Sequence, residues 1–239
     1  MSVIERVRIL VLGDSGVGKT SFVHLAAHSE PLKSPSWTVG CSVEVKLHEY
    51  KEGMKEQKTF FLEFWDIGGS HAHRNARSVF YNPCHGAILV HDLTNQKSER
   101  NLRKWIKEMS RNRRETKDSN SLNVPLMTSL SAMDNFDQES FIGHSSIPYI
   151  VIGTKLDQVD DRKTRQEHMA SHLGCDEILM DCRQTRYLAA GTSNAVKLSR
   201  FYDKVIEMEF RNNKDSFTKR FGDSISPILS TKFYSPHQD

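Results

Sequence analysis

The sequence predicts a doubly wound α/β domain, a mostly parallel sheet flanked by helices. Three observations predict it. Short apolar runs rich in β-branched and aromatic residues alternate with longer stretches of helical spacing. Each run ends near a glycine or an aspartate, as buried parallel strands do. A chain of 239 residues holds one full domain of this class, with some left over.

The runs are Val7–Leu12, Phe60–Trp65, Ala87–Val90 and Tyr149–Ile152. Cys41–Leu47 and Phe60–Trp65 flank "HEYKEGMKEQK", charged and with Gly53 inside, which predicts an antiparallel hairpin at the sheet edge. Two stretches carry helical spacing. From Ser98, Leu102, Trp105, Ile106 and Met109 recur at steps of three or four. From Ser193, Val196, Phe201, Val205 and Ile206 share one side, with Ser193 or Asn194 as N-cap. Two segments fall outside the pattern. Residues 115–146 are rich in Ser, Asn and Asp and predict a long loop with a helical turn at most; residues 212–239 are polar, with Pro227 and Pro236, and predict a loosely held tail after a domain spanning 1–211.

A hydrophobic share of 37% and a mean hydropathy of −0.55 fit a compact core with solvated insertions or tails. The net charge of +3 and pI near 8.6 are too mild to point to nucleic acid. No apolar run approaches 18 residues, so no membrane span is expected. Cys41, Cys84, Cys175 and Cys182 form no C-x-x-C pair, and no signal peptide precedes them. Reduced thiols and a cytoplasmic location are therefore expected.

"LVLGDSGVGKTSF" carries the strongest chemical signal: Gly13, Gly18, Lys19 and Thr20 match G-x-x-x-x-G-K-[ST] between a strand and a helix. Ser15, Gly16, Val17 and Gly18 supply backbone N–H groups that close around phosphates. The helix begun by Lys19, Thr20 and Ser21 adds its positive end, Lys19 suits the β- and γ-phosphates, and the Thr20 hydroxyl suits Mg²⁺. "VIGTKLDQV" then selects the base. Asp157 accepts two hydrogen bonds from the ring N–H and exocyclic amine of guanine, which adenine lacks. The stem of Lys155 lies over the base plane, with Leu156 between the two.

Together "GDSGVGKT", "SWTVGCSVE", "FWDIGG", "VHDLTN" and "GTKLD" resemble the Rab branch of the Ras superfamily of small GTPases, over roughly residues 3–211. "VGCSVEVKLHEYKEG" and "RYLAAGTSNAVKLSRFYDKVIE" are similar to one Rab-like subgroup of that branch. The resemblance implies a P-loop fold with a six-stranded, mostly parallel sheet, binding GTP and GDP with Mg²⁺. By motif, Thr38, 18 residues after Thr20, is the switch threonine of the Mg²⁺ shell; Asp66 is the second metal residue and the Gly69 N–H the γ-phosphate sensor. Asp181 and Cys182 stand where the family closes an S-A-K loop over guanine, and match it only through their backbone.

Three departures from the family bear on function. Ser70 stands where a water-orienting glutamine is usual, and its hydroxyl is too short for that task, so turnover well under ~1 s⁻¹ is expected. His71 and His73 are nearby and offer a substitute for the glutamine, although surface histidines are the commoner case; as a His-x-His with Cys84-His85 they lack the closed ligand set of a metal centre. The sequence has no cysteine after Cys182, so no prenyl anchor is expected. The 115–146 stretch is about 25 residues longer than usual connections and reads either as a loop or as a partner-binding element.

Two function classes follow. One is a cytosolic nucleotide switch acting on effectors and regulators through Ser34–Gly40 and Gly68–Ser78. The other is a nucleotide-stabilised interaction module with vestigial hydrolysis. The resemblance implies homodimerisation and a part in handling other small GTPases, including their prenylation. Trp37 and Phe80-Tyr81 are the expected partner anchors. A P-loop kinase lacks support, because no lid or substrate-base motif is present.

Overall fold

A computed structural model describes residues 4–115, 147–159 and 169–221. The expected insertion and most of the expected tail lie outside them. The order is β1 (Glu5–Leu12), α1 (Lys19–His28), β2 (Cys41–Tyr50), β3 (Lys58–Ile67), β4 (Gly86–Asp92), α2 (Gln96–Glu115), β5 (Tyr149–Thr154), α3 (Met169–Leu173), β6 (Glu177–Leu179) and α4 (Ser193–Phe221). Short 3₁₀ turns cover His71–His73, Arg77–Phe80, Leu156–Gln158 and Thr185–Leu188.

The six strands form one sheet in the order β2-β3-β1-β4-β5-β6. β1 runs parallel to β3 and β4, β4 to β5, and β5 to β6; β2 alone runs antiparallel, to β3, from Cys41↔Ile67 to Tyr50↔Lys58. That is the expected edge hairpin. Side chains of a strand point alternately to its two faces, and β1 and β4 use both. Val7, Ile9, Val11, Ile88 and Val90 pack with Phe22 and Leu25 of α1 and Phe201, Val205 and Ile206 of α4. Leu10, Leu12, Ala87 and Leu89 pack with Leu102, Trp105, Ile106 and Met109 of α2 and Met169 of α3.

Helix α4 departs from expectation in three ways. Its N-cap is Thr192, whose hydroxyl accepts from the Ala195 N–H at 3.1 Å, rather than Ser193 or Asn194. Val196 is 49% exposed rather than on the buried side with Phe201, Val205 and Ile206. The helical backbone continues to Phe221, through the boundary expected at 211. No helix among the described residues is long and apolar enough to cross a membrane.

Candidate functional site

Every candidate residue lies at or just beyond the carboxyl ends of β1, β3, β5 and β6, or in the segment leading into β2. Crevices there receive ligands in open parallel sheets. The chain turns from Leu12 into α1 through Gly18, at φ +92°, a left-handed conformation that glycine adopts without penalty. Ser15 and Gly16 are exposed, whereas Val17 is buried in the core and fixes the loop. Lys19 is 6% exposed, its ammonium donates to the Asp14 carbonyl at 3.0 Å, and burial pulls its pKa down. A cation so placed awaits an anion.

Three oxygens converge beside it. The Thr20 hydroxyl lies 2.9 Å from the Thr38 hydroxyl and donates to Asp66 Oδ2, to which Thr38 also donates at 3.1 Å. Asp66 is fully buried, and burial raises its pKa against the pull of Thr20, Lys19 and Thr38. Its other oxygen, Oδ1, is buried and lacks a hydrogen-bond partner among the described residues. An orphaned carboxylate oxygen among hydroxyls is the donor set a hard cation takes, so these residues fit Mg²⁺.

Two glycines bring the segments before β2 and after β3 together. The Gly68 N–H donates to the Gly40 carbonyl at 2.8 Å. Gly69 presses on the phosphate loop, where an added Cβ would strike the Ser15 amide nitrogen. Ser70 caps the next turn, its hydroxyl accepting from the Ala72 N–H at 3.3 Å. His71 and His73 are exposed.

Sequence reasoning missed what holds this segment. Arg77 is 2% exposed and pairs with Glu108 of α2 through two contacts of 3.1 Å. Its guanidinium stacks 4.2 Å from the Trp105 ring centre and donates to the Gly68 and Ser70 carbonyls. Tyr81 donates to Glu108 at 2.7 Å. Trp105 and Asn101 donate in turn to the Asp14 carboxylate at 2.9 and 2.7 Å. Tyr81 is thus fully buried and unavailable as a partner anchor, whereas Trp37 is 84% exposed.

At the carboxyl end of β5 the Thr154 hydroxyl donates to the Val17 carbonyl, tying β5 to the loop before α1. Lys155, at φ +58°, places its ammonium 2.6 Å from Asp92 Oδ2. Burial alone would raise the Asp92 pKa, but Lys155 and Thr94 outweigh it and hold it below the usual range. Leu156 opens the turn that carries Asp157, and its N–H donates to Met180 at 3.3 Å. Asp157 accepts from Arg183 at 2.6 Å. Arg183 also engages Asp181, whose second oxygen accepts from Gln184 at 2.7 Å. Burial pushes the Cys182 thiol up to about 12. The side chains of Asp181 and Cys182 are therefore engaged within the fold. No sequence signal marks Arg183, which matters through residues 26 positions away.

A six-stranded sheet with one antiparallel edge, and a phosphate loop facing the strand end that carries T-K-L-D, is the architecture of the small GTPases. Comparison with known proteins agrees. The family described as Ras of Complex, Roc, domain of DAPkinase matches residues 8–122. Rab-like protein 3 of Homo sapiens is 49% identical over 221 residues, 88% of each chain. Rab-like protein 3 of Xenopus laevis is 48% identical over 238 residues, covering 93% of this chain and 96% of the relative. Small GTPase-like protein LIP2 of Arabidopsis thaliana is 35% identical over 160 residues, 64% of this chain and 43% of the relative. The chain belongs to the Rab-like small GTPases, with the Rab-like protein 3 sequences as near full-length relatives.

Proposed function

We propose that this chain is a Mg²⁺-dependent guanine-nucleotide switch with slow intrinsic hydrolysis. The convergence of Thr20, Thr38 and Asp66, with Asp66 Oδ1 unsatisfied, carries the reading. The amides of Ser15, Gly16, Val17 and Gly18 and the Lys19 ammonium hold the phosphates, with Ser21 in the first turn behind them. Thr20, Thr38 and Asp66 hold Mg²⁺, which neutralises charge on the phosphate oxygens. The Gly69 N–H reports the γ-phosphate; Lys155, Leu156 and Asp157 read guanine, helped by the backbone of Asp181 and Cys182. Ser70 spends its hydroxyl on its own turn, so no side chain there orients an attacking water. Single-turnover hydrolysis of bound GTP tests this reading: a rate well under ~1 s⁻¹ is expected. Asp157→Asn should relax the choice of guanine over other purines, and unchanged selectivity would refute the base assignment.

A second reading rests on exposed apolar surface. Trp37, Val39, Val43, Val45, Leu47 and Val79 are each at least 44% exposed, along the edge strand and both segments flanking the phosphate loop. Patches of this kind mark docking surfaces. On this reading the chain is a homodimer or a docking module for other small GTPases and their prenylation machinery, acting in the cytoplasm with vestigial hydrolysis. Sedimentation of GTP-loaded protein separates the two. A dimer lost in Trp37→Ala, with no acceleration of hydrolysis by any cell extract, supports the module; a monomer whose hydrolysis an extract accelerates supports the switch.

A further inference from the structure

The site accounts for the amino end of α1 but not for its carboxyl end. His24 and His28 lie four residues apart, on one face of the helix. Their ring centres are 4.7 Å apart, with the planes tilted by 46°. Glu44, on the edge strand β2, faces them, with Oε2 2.8 Å from His28 Nε2. The three candidate ligand atoms all lie within 4.8 Å of one another. His28 and Glu44 already share a hydrogen bond; His24 adds nothing to it, and no hydrogen bond of its ring is seen among the described residues.

We propose that His24, His28 and Glu44 form a transition-metal site, best suited to Zn²⁺ and separate from the nucleotide pocket. Two imidazoles and a carboxylate are a zinc donor set, with the fourth position left to water. Zinc–nitrogen and zinc–oxygen bonds are about 2.0–2.2 Å, so tetrahedral ligand atoms stand about 3.3–3.6 Å apart. The observed atoms, within 4.8 Å of one another, stand near that spacing. Two imidazoles disfavour Mg²⁺ and Ca²⁺, which take oxygen ligands. Binding replaces the His28–Glu44 hydrogen bond with two metal bonds and releases any imidazole proton to solvent. Residues 29–43 join His28 to Glu44 and contain Thr38, so the site lies at the base of the loop that carries Thr38.

The test uses the full chain, loaded with GDP and Mg²⁺ and freed of other metals. Zn²⁺ is titrated against a chromophoric chelator, and Co²⁺ serves as a spectroscopic stand-in. One Zn²⁺ per chain is expected, with a tetrahedral Co²⁺ spectrum lacking a thiolate charge-transfer band. Affinity should fall at least about tenfold in His24→Ala. That variant keeps the His28–Glu44 pair, so its melting temperature in chelator should match the parent. Unchanged zinc affinity in His24→Ala, a thiolate band from the cysteines, or no saturable binding overturns the proposal. The titration does not depend on guanine selectivity, so it succeeds or fails independently of the switch reading.

Discussion

Gly69 is one hydrogen away from a collision. Its backbone sits on the Asp14–Ser15 peptide, and a Cβ there meets backbone atoms, which do not yield as a flexible side chain would. Gly69→Ala is therefore expected to displace either the phosphate loop or its own segment. A shift of about 1 Å at such a place costs about 100-fold in rate, so single-turnover hydrolysis should drop by that order; an unchanged rate would show that the contact is slack. Beyond β5 and β6, Arg183 bridges two carboxylates, Asp157 and Asp181. With Arg183→Ala these negative groups face each other without a counter-charge. Faster amide exchange across Cys182–Leu188 is the expected result, and exchange equal to the parent's would mean that Gln184 alone holds Asp181. Asp157 is legible in the sequence because T-K-L-D is a local string at the end of an apolar run. Arg183 is not, because its partner lies on a neighbouring strand's loop and only the β5–β6 pairing brings them together.

At the scale of elements, the segment after β3 is held by a helix rather than by its own sequence. Arg77 and Glu108 are 3% and 12% exposed at their side chains, and each meets the other's charge away from water. Removing one partner of a buried pair typically costs about 3–5 kcal/mol. Arg77→Ala should cost less than that in urea denaturation, because Arg74 at 3.2 Å and Tyr81 at 2.7 Å still engage Glu108. Adding Glu108→Gln should recover part of the loss, and equal loss in both variants would place the cost in the Trp105 stacking instead. The N-cap of α4 is smaller in scale. Thr192→Ala should cost about 1 kcal/mol in the same measurement, whereas Ser193→Ala should cost less, since no capping bond from its side chain is seen among the described residues. Helical spacing locates both long helices in the sequence. It cannot choose among Thr192, Ser193 and Asn194 as cap, since all three residue types serve and only the backbone path decides. The reach of α4 to Phe221 is hidden for a similar reason: polar residues beyond 211 read as tail, while a helix already nucleated by its packed first half extends at little cost.

Across the whole molecule, parallel strands and an antiparallel edge follow from residue patterning, because a strand buried on both faces must be apolar throughout and an edge strand alternates. The register that sets Ile9 beside Phe64 and Val11 beside Ile88 is not in that pattern. It follows from the two helical layers closing on both faces of the sheet. Burial also orders the thiols: Cys41 is pushed up to about 11, and Cys175 and Cys182 to about 12. Alkylation of the folded protein at neutral pH should be slow at all three and become fast in denaturant; rapid labelling of Cys182 in the native state would mean that its loop opens.

The single bond from the Gly68 amide to the Gly40 carbonyl has a mechanical meaning. It ties the stretch that carries Thr38 to the stretch that carries Gly69, so a displacement of one is expected to pull on the other.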